Sequence, residues 1–143
     1  MALKETKLPQ GGFLFAQRII KDVIINLPFE TPSKKNSRIV NRRTGRSFPS
    51  KAYSEWHVMA RNHIALTCRD LQRFDVPVKM SFWFFHGTLR GRDSDNQVSS
   101  ILDLLVDCGI IKDDKWNIVR EFSVANFYAK GKPSCIVEIE KLE

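Results

Sequence analysis

Asp93 and Asp95 stand two residues apart at the start of an apolar-periodic stretch, and Asp113 and Asp114 follow shortly after Gly109. Alternate residues of an extended chain point the same way, about 6.6 Å apart, so Asp93 and Asp95 can aim both carboxylates into one site. If the loop Gly109 to Lys112 turns the chain back alongside a sheet, Asp114 joins them. Three gathered carboxylates suit a hard divalent cation such as Mg²⁺, with Mn²⁺ as the expected substitute. Such an ion polarises a phosphoryl oxygen and lowers the pKa of a bound water for in-line attack. The bland alternative is that Asp95 only caps a helix, Asp93 is a loop residue, and Asp113 and Asp114 open a strand as a polar turn.

The elements around these residues follow from pattern. Val76 to His86 alternates, with Val78, Met80, Phe82, Phe84 and His86 on one face and Lys79, Ser81, Trp83 and Phe85 on the other. Both faces become apolar towards its end, which predicts a central strand covered on two sides. GTLRG follows as a flexible basic loop. Asp95 then predicts the N-cap of a helix over 96–108, with Val98, Ile101, Leu102 and Leu105 inward and Gly109 as its stop. Upstream, Val23 to Leu27 predicts a short buried strand, and Pro28 and Pro32 interrupt regular structure. NRRTGR predicts a hairpin-like turn with Gly45 at its tip. Ser50 predicts the N-cap of a helix reaching about Leu71, with Tyr53, Trp56, Met59, Ala60, Ile64, Cys68 and Leu71 as its apolar stripe. His57 and His63 lie off that stripe, and nothing near them in sequence completes a metal set. Ile118 to Ala129 and Cys135 to Leu142 predict two strands joined by KGKP as an antiparallel hairpin. The expected class is α+β: a single mixed β-sheet of about four to five strands with two main helices packed on it. Residues 1–20 read as an N-terminal tail, and 21–143 as one domain.

The chain has 143 residues and a formal net charge of +7, with 43% hydrophobic and 27% charged residues. That composition argues against disorder, and the charge favours a polyanion as partner. The excess is local. Residues 31 to 51 hold Lys34, Lys35, Arg38, Arg42, Arg43, Arg46 and Lys51 and no acidic residue. Arg90 and Arg92 add charge just before Asp93. Phosphate contacts are the expected role of this set, apart from Lys51. Phe48, Trp83 and Trp116 could stack on bases, although core packing is the simpler role for the first two. Cys68, Cys108 and Cys135 have no zinc-type spacing and read as buried free thiols. No apolar run approaches the ~20 residues of a membrane span, and no signal-peptide pattern opens the chain. A cytoplasmic protein without a membrane partner is expected.

The segment RDSDNQVSSILDLLVDCGIIKDD resembles the core of the RusA-type Holliday junction resolvases. Asp93, Asp95, Asn96, Asp103, Gly109, Asp113 and Asp114 fall on the family pattern without a gap. LPFETPSKKNSR is similar to its first strand and following loop, and FPSKAYSEW to the start of its first helix. The resemblance runs from about residue 22 to 142. It implies an α+β homodimer making Mg²⁺-dependent paired nicks in four-way DNA junctions, leaving 5′-phosphate and 3′-hydroxyl ends. It implies Asp93, Asp95 and Asp114 as catalytic carboxylates, Asp113 as a less essential neighbour, and Asn36 as a residue orienting DNA. One position departs from the pattern: Ser99 stands where the family places a catalytic lysine. Another cation must then supply that charge, with Lys112, Lys115 and Arg92 nearby in sequence, or the enzyme is slow or inactive. The alternatives are therefore a junction-binding protein with impaired catalysis, or a nuclease for other branched DNA such as flaps.

Overall fold

The computed structural model describes residues 22–34, 38–71 and 73–142. The expected tail lies outside them. The elements run β1 (Asp22–Leu27), β2 (Arg38–Val40), β3 (Ser47–Pro49), α1 (Lys51–Thr67), β4 (Val78–His86), α2 (Ser94–Asp107), β5 (Val119–Tyr128) and β6 (Ser134–Lys141). Four strands form one mixed sheet in the order β1-β6-β4-β5, and β2 and β3 form a separate small ribbon. With its two helices, this is an α+β fold.

Alternation along the strands decides what is buried. Val78, Met80, Phe82 and Phe84 of β4 register with Cys135, Val137 and Ile139 of β6, and Ile25 and Leu27 of β1 complete that face. Tyr53, Trp56, Ala60 and Ile64 of α1 and Val98, Ile101, Leu104 and Leu105 of α2 close over it as one core. The opposite face of β4 is half-buried, and no described helix lies on it, so the strand is central but not covered on both sides. β1 likewise buries one face only: Ile24 is exposed, because β1 is an edge strand.

The expected hairpin of the last two strands does not form. β5 pairs with β4 in parallel, and β6 pairs with β4 antiparallel on its other side. The link Ala129–Pro133 therefore bridges the end of β4. Ala129 donates to His86 O at 2.8 Å and Gly131 to Gly87 O at 2.9 Å. Gly87 is required there, since a Cβ would lie 3.0 Å from Pro133 Cδ. Sequence adjacency favours a hairpin, but the apolar inner face of β4 takes the place between the two strands. α2 is then the crossover that parallel β4 and β5 require.

The smaller expectations divide. Ser50 caps α1 by accepting from Tyr53 N at 3.1 Å, as anticipated. The helix ends at Thr67, earlier than Leu71, where Cys68 leaves helical geometry. Met59 points to solvent. The NRRTGR turn holds: Gly45 has φ +71°, and its N–H donates to Asn41 O at 2.8 Å. All three cysteines are free, but only Cys135 is buried, and burial pushes its thiol up to about 12.

Leu104 faces β4 with no exposed surface. Leu104→Ala should cost about 3 kcal/mol of unfolding free energy, read as a shift in the urea midpoint with unchanged slope.

Candidate functional site

α2 begins one residue before the expected cap. Gln97 N donates to Asp93 O at 3.2 Å, so Asp93 is the N-cap, in extended geometry, and Asp95 lies in the first turn. The extended-chain spacing used for this pair therefore does not apply, because Ser94 is already helical. Asp93 Oδ2 accepts from Asn96 Nδ2 at 3.2 Å. Both carboxylates sit at the helix N-terminus, where unpaired N–H groups favour negative charge.

The far end of α2 is equally well defined. Gly109, at φ +73°, donates to Val106 O at 3.0 Å, and Ile110 donates to Leu105 O at 2.9 Å. This is the Schellman arrangement that satisfies terminal carbonyls. The chain is then tied to the segment before β4, through Phe74 N to Ile110 O at 2.7 Å and Lys112 N to Phe74 O at 2.9 Å. A turn closed by Ile118 N on Lys115 O at 2.9 Å leads into β5. Asp113 and Asp114 thus lie near the start of β4, whereas Asp93 and Asp95 lie near its end. The fourteen residues of α2 separate them by about 20 Å. The return of Asp114 to Asp93 and Asp95 does not occur within one chain.

Charge pairing distinguishes these residues. Asp113 is held by Lys115 at 3.2 Å, and hydrogen bonding from Lys115 keeps its carboxyl below the usual range. Asp93, Asp95 and Asp114 make no ion pair among the described residues. The described group whose ligand atoms do lie within 4.8 Å of one another is His57, Asp103 and Asp107. It is compensated internally. His57 Nε2 is 2.9 Å from Asp107, while Asp103 Oδ2 meets Lys34 Nζ at 3.0 Å and the Tyr53 hydroxyl at 3.2 Å. Burial and the neighbouring Asp103 push the Tyr53 hydroxyl well above its usual range, so it remains a donor.

A cleft of about 380 Å³ opens beside Asp93, lined by Glu30, Ser33, Trp56, Arg90 and Arg92 among others. Glu30 organises it. Its Oε1 accepts from Gly87 N at 3.0 Å, and its Oε2 lies 2.9 Å from His86 Nδ1 and 3.5 Å from Arg92 Nε. His86 Nε2 is 2.8 Å from Asn126 Oδ1, and Asn126 Nδ2 donates to Ser94 Oγ at 3.1 Å. One chain of contacts therefore runs from the loop after β1, through the ends of β4 and β5, to the first residue of α2. A second one anchors the loop itself. Ser100 Oγ donates to Pro32 O at 2.7 Å and accepts from Lys34 N at 3.0 Å, and Gln97 Nε2 donates to Thr31 O at 3.2 Å. Glu30, His86, Gln97, Ser100 and Asn126 were not singled out from sequence. Gln97 and Ser100 carried a signal, since they are polar residues within the inward stripe of α2.

The matches to known proteins follow this layout. The family model for the endodeoxyribonuclease RusA matches residues 28–140. The chain belongs to the RusA family. It is also 23% identical over 112 residues to the crossover junction endodeoxyribonuclease RusA of Aquifex aeolicus (strain VF5), covering 78% of this chain and 86% of that protein. As a RusA-family member the chain is a DNA-hydrolysing endonuclease, and its basic surface is read accordingly. Arg42, Arg43 and Arg46 are exposed on the β2–β3 ribbon and its turn. Arg38 is committed in part, its Nε donating to Ser47 Oγ at 3.0 Å and Nη2 to Ser47 O at 2.8 Å. Arg90 is exposed and Arg92 half-buried at the cleft. Lys35 and Asn36 lie outside the described residues. Ser99 is half-buried on α2, and no described contact gives it a cation. Phe48 and Trp116 are exposed rather than in the core, and Trp83 is half-buried. No helix of the described residues is long and apolar enough to cross a membrane.

Arg42→Ala should lower the slope of log affinity for DNA against log salt by about one, leaving thermal stability unchanged. A filter-binding salt titration reads this directly.

Proposed function

We propose that the protein is a Mg²⁺-dependent resolvase of four-way DNA junctions, introducing paired nicks as a homodimer. The observation that carries this reading is a charge imbalance. In a RusA-family chain of net charge +7, Asp93, Asp95 and Asp114 are left without a basic partner among the described residues. Unpaired carboxylates amid positive charge are available to a cation from solution. Their donors are all hard oxygens, which fits Mg²⁺, and Mn²⁺ would be accepted by the same set. Such an ion, when bound, polarises the scissile phosphoryl group and acidifies a water.

The chain's own residues supply the rest. Asp93 and Asp95 would hold the ion at the start of α2, and Asp114 would complete the set. Arg42, Arg43 and Arg46, with Lys34, Lys35 and Arg38, would grip backbone phosphates, and Asn36 would orient the strand. Ser99 brings no positive charge. Arg92 is the residue best placed to replace it, since it lines the cleft beside Asp93 with its Nε held towards Glu30. Such a guanidinium would stabilise charge on the phosphate. Asp113, tied to Lys115, would set the loop without binding the ion.

The test is cleavage of a mobile four-way junction, a flap and a linear duplex, with and without Mg²⁺. Junction-selective, metal-dependent nicking is expected, and Asp95→Asn should lower it by about a hundredfold or more while preserving binding. Salt-sensitive binding with no cleavage in Mg²⁺ or Mn²⁺ would instead favour a junction-binding protein. Equal cutting of flaps would widen the substrate class.

A further inference from the structure

Asp93 and Asp95 stand at one end of α2 and Asp114 at the other, about 20 Å apart along a helix with both ends fixed by hydrogen bonds. No loop motion of a few ångströms joins them. We propose that each active site is shared between two copies of the chain, Asp93 and Asp95 coming from one copy and Asp114 from the other. This rests on the reading of these three residues as the metal-binding carboxylates.

The geometry favours a two-fold pair. Rotating one copy so that the two α2 helices run antiparallel brings each Asp114 end to the other copy's Asp93 end, and one rotation completes both sites. The surface between the half-sites suits a second copy. Leu89, four residues before Asp93, is 80% exposed, and Trp116, two residues after Asp114, is 78% exposed. Between them runs β5, an edge strand of the sheet, with Phe122 and Tyr128 also exposed. Apolar side chains that mark both half-sites and the strand connecting them form one self-complementary strip. A second copy placed there would bury the strip as it assembles the sites.

The test mixes two inactive variants. Asp95→Asn and Asp114→Asn are each prepared, combined, partly unfolded and refolded together, and assayed for nicking of a four-way junction in Mg²⁺. In a shared site, a mixed dimer carries both defects in one site and none in the other. With random pairing, about one quarter of wild-type sites should return. No recovery, with mixed dimers demonstrated by differently tagged copies, would overturn the proposal. If wild-type protein does not cut, or either variant alone cuts normally, the catalytic assignment fails instead.

A second readout does not depend on cleavage. In a Cys68→Ser, Cys108→Ser background, Asp95→Cys and Asp114→Cys chains are mixed and treated with a short bismaleimide. Covalent dimer should form in the mixture and not with either chain alone. Cross-linking confined to a doubly substituted single chain, with no dimer, would overturn the shared site whatever the activity.

Discussion

Helix α2 is fixed at both ends and buried along its inner face, and much of the molecule is measured against it. Leu104, Leu105 and Ile101 set it on β4, Gly109 and Ile110 close its C-terminal end, and Asp93 opens the other. A helix held in this way transmits position. It keeps two groups of carboxylates apart at a set distance, and it receives the loop that borders the cleft. Burying Gln97 and Ser100 in its stripe would be costly without partners. The backbone of Thr31, Pro32 and Lys34 supplies them, so the loop and the helix satisfy each other.

The same economy of charge runs through the candidate site. Negative groups with structural duties are neutralised: Glu30 meets His86 and Arg92, Asp103 meets Lys34, Asp107 meets His57 and Asp113 meets Lys115. Asp93, Asp95 and Asp114 are treated differently, since each is exposed and unpaired among the described residues. Neutralising them from within would leave no place for an external cation. The trio His57, Asp103 and Asp107 offers closer ligand geometry, yet its internal partners already take the positions an ion would need.

Much of this was legible in sequence where the signal was local. The β4 alternation, the Ser50 cap and the Gly45 turn each depend on a few adjacent residues, and each formed. Family membership was legible for the same reason, because the spacing from Asp93 to Asp114 is itself a local pattern. Misreadings arose where the outcome depended on distant partners. KGKP looks like a hairpin turn until β4 claims the space between β5 and β6. Asp95 looks like a cap until the first helical hydrogen bond is found on Asp93. Glu30, His86 and Asn126 lie far apart in the chain, so nothing in their spacing announces that they meet. The acidic residues looked like one cluster because spacing along a chain does not reveal that the intervening helix is straight.

The central claim is that Asp93, Asp95 and Asp114 together hold a divalent cation. Titrating the DNA-free protein with substoichiometric Mn²⁺ and following amide signals by ¹H–¹⁵N NMR tests it most directly. Paramagnetic broadening should appear together at residues 93–95 and 113–114, at the same low Mn²⁺ ratio, and leave residue 57 sharp. Broadening centred on residues 57, 103 and 107, or reaching one end of α2 without the other, would contradict it.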